Sequence, residues 1–346
     1  MIGTVLGYLL LVSVPSIVMA FMLFVHWFVC HRHLSSSILR IFQEKPMFLI
    51  PRGEPRGGGE EIMFLSADRS IHRGVYFRTH LPRRGVVLFG LEYGSGRWSF
   101  LPYCEELIAS GFDVFTFEPR NQGDSASIPG YEPLQWLTRY EVEDTHAAID
   151  YLRHRHDADA SGIGYFGISK GASAGLSAAS LDPWVRCVVT DGAFGTVSTM
   201  TPYMRKWISL YSDRHVIQNL LPGWFLSSIA HVCMARIERM RNVEFVHVED
   251  TLHHLRCPLL MIHGSGDTYI RTTMAQQLFR RCRGPKEFWL VESARHNQSL
   301  HVAGDEYHRR VSQFFKLHLP LEPDAVVRFN SVAVNAVPTE AELEIA

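Results

Sequence analysis

The sequence predicts a doubly wound α/β domain on a mostly parallel sheet, with a helical cap inserted in it and an N-terminal transmembrane helix before it. Three observations carry that prediction. Short β-rich runs alternate with helix-length amphipathic stretches between residues 62 and 318. Several of those runs, such as "GVVLFG" (85–90) and "IGYFGI" (163–168), are apolar throughout, as strands covered on both faces are. Finally, no Asp, Glu, Lys or Arg occurs from Ile2 to Cys30, a run longer than the roughly 20 residues that span a bilayer.

The apolar run reads as a membrane anchor over residues 1–31. Tyr8 and Trp27 stand where interfacial aromatics belong. The alternative is a signal peptide cut near Val18-Met19-Ala20, but there is no basic region in front and the run continues ten residues past Ala20. Arg32, Arg40 and Lys45 all follow the span, which places the C-terminal part on the cytoplasmic side. Residues 32–61, ending in "PRGEPRGGGEE", read as a juxtamembrane linker.

The main domain is expected over 62–320. Its candidate strands are 62–65, 72–79, 85–90, 112–117, 163–168, 185–190, 258–264 and 286–291. Helices are expected near 97–110, 138–156, 170–181, 272–283 and 304–318. Residues 196–256 are too long for a simple crossover and carry amphipathic segments, so they form the cap. The tail from Leu321 to Ala346 shows no pattern.

Composition narrows the function classes. A net charge of −1 offers no electrostatic footprint for nucleic acid, so no such partner is expected. The six cysteines are scattered without a C-x-x-C pair and read as reduced, buried thiols. The histidines make no H-E-x-x-H or similar spacing, and no metal or other cofactor is expected.

Ligands of open α/β sheets gather at the carboxyl ends of the strands, and those ends give a short list of candidates. The stretch "GISKGASAG" contains Gly-x-Ser-x-Gly twice, centred on Ser169 and on Ser173. Ser169 has a strand before it, a helix after it, and glycines two residues away on each side, as a strained nucleophile elbow requires. Ser173 falls inside the helix, where its small neighbours permit close packing on the sheet. A serine needs a base and a carboxylate to orient that base. His296, after the last strand, is the base; Asp267 is the carboxylate, with Asp191 as its rival. The backbone N–H groups of Leu91 and Lys170 are the candidate oxyanion donors. The Lys170 side chain is expected in solvent, and Glu92 is expected to pair outward with Arg97 or Arg120.

On these residues the chain resembles the α/β-hydrolase superfamily over roughly 62–318. "VVLFGLEYGSG" is similar to its strand and oxyanion loop, with Phe89 where His is usual. "FDVFTFEPRNQGDS" loosely matches a second family segment at Glu118, Arg120, Gly123 and Ser125, and "PLLMIHGSGDTYIRTTMAQQL" resembles the strand and helix that carry the acidic residue. Membrane-anchored BEM46-like and prolyl-oligopeptidase-related hydrolases are similar in their anchor and "HGSGD". The elbows of acyl-CoA thioesterases resemble "GISKGA". The resemblance implies a serine hydrolase for an ester or thioester, with a small-molecule or lipid-like acyl substrate. The lipid-like preference rests on the anchor and on Trp207, Trp224 and Phe225 in the cap. A peptidase or amidase, or a degenerate hydrolase serving as a scaffold, are the alternatives. Oligomeric state is open.

Overall fold

The computed structural model describes residues 2–43, 53–211 and 222–319. The tail from Leu321 lies outside them, as do residues 44–52 of the expected linker, Lys45 among them. Among the described residues the strands are β1 (Gly59–Leu65), β2 (Ile71–Phe77), β3 (Gly85–Gly90), β4 (Phe112–Phe117), β5 (Ile163–Ile168), β6 (Val185–Asp191), β7 (Leu259–Gly264) and β8 (Lys286–Val291). The helices are α1 (Ile2–Gln43), α2 (Leu101–Ala109), α3 (Arg139–His154), α4 (Lys170–Leu181), α5 (Val197–Tyr211), α6 (Gly223–Arg241), α7 (Val248–Thr251), α8 (Thr272–Arg281), α9 (Ser299–Ala303) and α10 (Asp305–His318).

One sheet holds the strands in the order β1-β2-β4-β3-β5-β6-β7-β8. β2 pairs antiparallel with β1 and β4, and every other pairing is parallel. The apolar runs of β3, β4, β5 and β7 are buried at every position because helices cover both faces. On one face Leu88, Phe115 and Tyr165 meet Ala148 and Leu152 of α3 and Ala172 and Leu176 of α4. On the other, Phe89 and Phe166 meet Cys104 and Leu107 of α2 and Tyr307 and Phe315 of α10. Each such side chain contributes on the order of 1.5–3 kcal/mol of apolar burial. The small residues of α4 bring it onto the sheet: a Cβ at Gly175 would overlap the Tyr165 ring.

A third cluster joins the cap to α1. Met200 and Met204 of α5 and Ile229 and Cys233 of α6 pack with Ile38, Leu39 and Phe42. This corrects the linker expected over 32–61. The helix that begins in the apolar run continues unbroken to Gln43. Ser35, Ile38, Leu39 and Phe42 recur at three- and four-residue spacing, and that buried stripe docks the last turns on the cap. From Ser13 to Arg40 the helix is long and apolar enough to cross a membrane, and its large apolar side chains from Val14 to Val29 are exposed apart from half-buried Trp27. The described cysteine thiols are free: Cys104, Cys187, Cys233 and Cys282 are buried and Cys257 is half-buried.

Candidate active site

Ser169 stands between β5 and α4 with φ +51° and ψ −113°, a conformation costly for any residue with a Cβ. Crowding explains the flanking glycines. A Cβ at Gly167 would lie 2.7 Å from the Ala172 nitrogen, and one at Gly171 would overlap the backbone of Gly90 and Leu91. The Ser169 N–H donates to the Asp191 carbonyl at 2.8 Å, which fixes the turn against β6. Ser173 is one turn into α4 and fully buried, exchanging hydrogen bonds with the Phe194 backbone at 2.8 and 3.0 Å.

The loop after β8 brings His296 Nε2 to 2.9 Å from Ser169 Oγ. His296 Nδ1 lies 2.6 Å from Asp267 Oδ2, while Asp267 Oδ1 accepts the N–H groups of Tyr269 and Ile270 at 2.8 and 2.9 Å. Burial pushes the Asp267 carboxyl up, but the hydrogen bond and charge of His296 and the Ile270 N–H outweigh it and hold it below its ordinary value. Asp191 points elsewhere, accepting from Ser299 Oγ at 2.9 Å and Tyr307 Oη at 3.0 Å. Burial raises it to about 6.

Ser169 and His296 open into a cavity of about 50 Å³ walled by Tyr93, Trp136, Phe194, Tyr203 and Tyr269. A larger groove of about 380 Å³ lies at the amino ends of β7 and β8, away from Ser169 and His296. Of the cap aromatics, Trp224 is exposed and Phe225 packs on Trp27 and His31 of α1, so neither lines the cavity. The side chain of Trp207 lies outside the described residues.

An esterase from Pyrococcus furiosus has a similar structure, with a TM-score of 0.60 at 21% identity over 80% of this chain and all of its own. This chain has the α/β-hydrolase fold. In sequence, the mouse protein named serine hydrolase BPHL is 23% identical over 281 residues, 79% of this chain and 93% of its own. A protein from Aspergillus aculeatus named as a thiohydrolase is 30% identical over 131 residues, 38% of this chain and 40% of its own. No family model matches.

Two side chains near the elbow depart from expectation. Lys170 is buried rather than solvated: its Nζ donates to Glu141 Oε1 and the Leu134 carbonyl, both at 2.6 Å. Glu141 also accepts from Tyr131 Oη at 2.6 Å and the Thr138 N–H at 2.8 Å. Burial alone would raise the Glu141 carboxyl, but the Lys170 ammonium and these hydrogen bonds hold it below its ordinary value. Lys170 also opens α4, where backbone N–H groups lack acceptors within the helix. Leu91 follows Gly90, which packs directly on Gly171, so both oxyanion candidates adjoin the elbow.

Glu92 pairs inward, not with arginine. Its carboxylate accepts from Asn297 Nδ2, beside His296, and burial raises it against that bond and the His296 charge. Arg97 is engaged by Glu118 and Asp124, and Arg120 by Asp144 and Asp68. Sequence reasoning missed Glu141, Asn297 and the wall formed by Trp136 and Tyr203. The Thr138-x-x-Glu141 spacing of a capping box was the available signal for the first.

Proposed function

We propose that the protein is a membrane-anchored serine hydrolase that cleaves a carboxylic ester or thioester through an acyl-enzyme. The observation that carries this reading is the strained Ser169 hydroxyl 2.9 Å from His296 Nε2, with Asp267 on the other ring nitrogen. Ser169 Oγ attacks the acyl carbon while His296 takes its proton, and Asp267 stabilises the imidazolium that forms. The N–H groups of Leu91 and Lys170 meet the oxyanion as charge develops there. Collapse of the tetrahedral intermediate expels the alcohol or thiol, which receives the proton from His296. Water then repeats the sequence on the acyl-enzyme and frees the acid.

In this reading the apolar part of α1 holds the hydrolase at a membrane, and the basic residues Arg32 and Arg40 that follow the charge-free run favour a cytoplasmic hydrolase domain. The test of the chemistry is labelling with a fluorophosphonate, which phosphonylates activated serines. Wild type is expected to label, Ser173→Ala to label if folded, and Ser169→Ala not to label. Labelling that survives Ser169→Ala refutes the assignment, and folded wild type that takes no probe refutes the hydrolase.

A further inference from the structure

One wall of the cavity at Ser169 is backed by a side chain that sequence places far from it. Trp136 and Tyr203 form part of its wall, with ring centroids 5.5 Å apart at 82°. Phe42, in the last turn of α1, stands behind both. Its ring meets Trp136 edge-on at 5.5 Å and stacks on Tyr203 at 6.3 Å, and it is fully buried. Trp136 Nε1 donates to the Phe42 carbonyl at 3.1 Å, so the indole is fixed to the helix end by its polar edge as well as by its face.

The helix end is itself anchored. Cys233 Sγ of α6 contacts the Ser35 carbonyl at 3.5 Å, and Arg241 Nε donates to Gln43 Oε1 at 2.8 Å. Trp136 and Tyr203 therefore cannot retreat without displacing α1 or its contacts with the cap. A cavity of about 50 Å³ offers about four water-sized positions, at roughly 10–15 Å³ each. An acyl group attached to Ser169 in that space ends after a few carbons.

We propose that this hydrolase acts on esters or thioesters of short acyl groups, roughly two to four carbons long, and that Phe42 of the N-terminal helix sets that limit by bracing Trp136 and Tyr203. The inference rests on the hydrolase reading above and departs from the long, lipid-like acyl chain that an anchor invites. The membrane helix then serves the site directly: one end holds the bilayer and the other braces a wall of the acyl pocket. Specificity follows from packing, because a longer chain directed at that side has to displace a braced aromatic wall before its carbonyl reaches the oxyanion donors.

The experiment uses the full chain in detergent micelles and the p-nitrophenyl esters of acetate, butyrate, octanoate and laurate. Rates are normalised to the fraction of protein that takes a small fluorophosphonate at Ser169. For wild type, kcat/KM is expected to fall by on the order of tenfold or more between butyrate and octanoate. Phe42→Ala, and the milder Phe42→Leu in case the alanine variant does not fold, are expected to raise the octanoate-to-acetate ratio by on the order of tenfold. Wild type that cleaves laurate as fast as butyrate overturns the inference. So does a labelled Phe42 variant with an unchanged chain-length profile. Wild type that is folded and takes neither probe nor ester sinks the hydrolase reading and the inference with it.

Discussion

Lys170 Nζ lies 2.6 Å from Glu141 Oε1 in the protein interior, so the residue that follows Ser169 is tied to the first turn of α3. Removing one partner of a buried ion pair strands the other charge, which costs on the order of 3–5 kcal/mol. Lys170→Met is expected to lose that much in urea unfolding. Glu141→Gln added to it keeps an oxygen for the Thr138 N–H while removing the stranded charge, so the double variant is expected to recover most of the loss. A double variant no more stable than Lys170→Met would show that the carboxylate charge is not the source.

The two acidic candidates separate by activity and by pH. Asp267→Asn is expected to lower kcat by about 10⁴, because the carboxylate that orients His296 is gone. Asp191→Asn leaves that contact intact and is expected to keep most of the activity. Its effect falls on stability. The folded state holds the Asp191 proton up to about 6, against an ordinary 3.8, so the native protein binds more protons than the unfolded chain between those values. Native stability therefore falls as pH rises through that window, by roughly 3 kcal/mol for a shift of about two units. Asp191→Asn is expected to remove the fall: near wild type at pH 4, more stable than wild type at pH 7. Equal slopes of stability against pH in the two proteins would count against the buried, protonated carboxyl.

Strand positions were legible because burial on both faces writes a continuous apolar run: β3, β4 and β5 fall at their expected limits. The tight turn at Ser169 was legible for a local reason, since only glycine fits two residues away on either side of it. Lys170 and Glu92 were not. A lone charge in sequence reads as solvated, and its burial depends on a partner, Glu141 or Asn297, brought by a different element. Phe42 was hidden for the same reason. Its role exists only because α1 docks on the cap, some 90 residues before Trp136 and 160 before Tyr203 in the chain.

Gly171 tests the packing that joins the elbow to the loop after β3. A Cβ there would meet backbone atoms of Gly90 and Leu91, which cannot rotate away as a side chain can. Gly171→Ala has to push α4 off β3, at about 1–3 kcal/mol for the overpacking, and it separates the N–H groups of Lys170 and Leu91. Its labelling rate at Ser169 is expected to fall by about a hundredfold, as a misplacement near 1 Å does. Ser173→Ala, four residues from Ser169, loses its bonds to Phe194 but leaves the elbow in place, and is expected to change the rate little. A Gly171→Ala protein that labels at the wild-type rate would remove Leu91 from the oxyanion assignment.

The two ends of α1 make separable predictions through truncation. Deleting residues 2–30 removes the charge-free run but keeps Ile38, Leu39 and Phe42, all buried in the cap cluster. Deleting residues 2–43 removes those three as well, each contributing about 1.5–3 kcal/mol of apolar burial, and uncovers Trp136 and Phe225. The shorter deletion is expected to leave the membrane fraction without detergent, to melt cooperatively and to label at Ser169. The longer one is expected to aggregate or to melt at least about 10 °C lower, since each kcal/mol is worth roughly 2–4 °C in a domain of 150–250 residues. Full-length protein is expected to resist extraction by high salt and to yield to detergent. If the shorter deletion stays with the membrane after a high-salt wash, residues 2–30 are not the anchor. If the longer one folds and labels like the shorter, the end of α1 is not part of the domain.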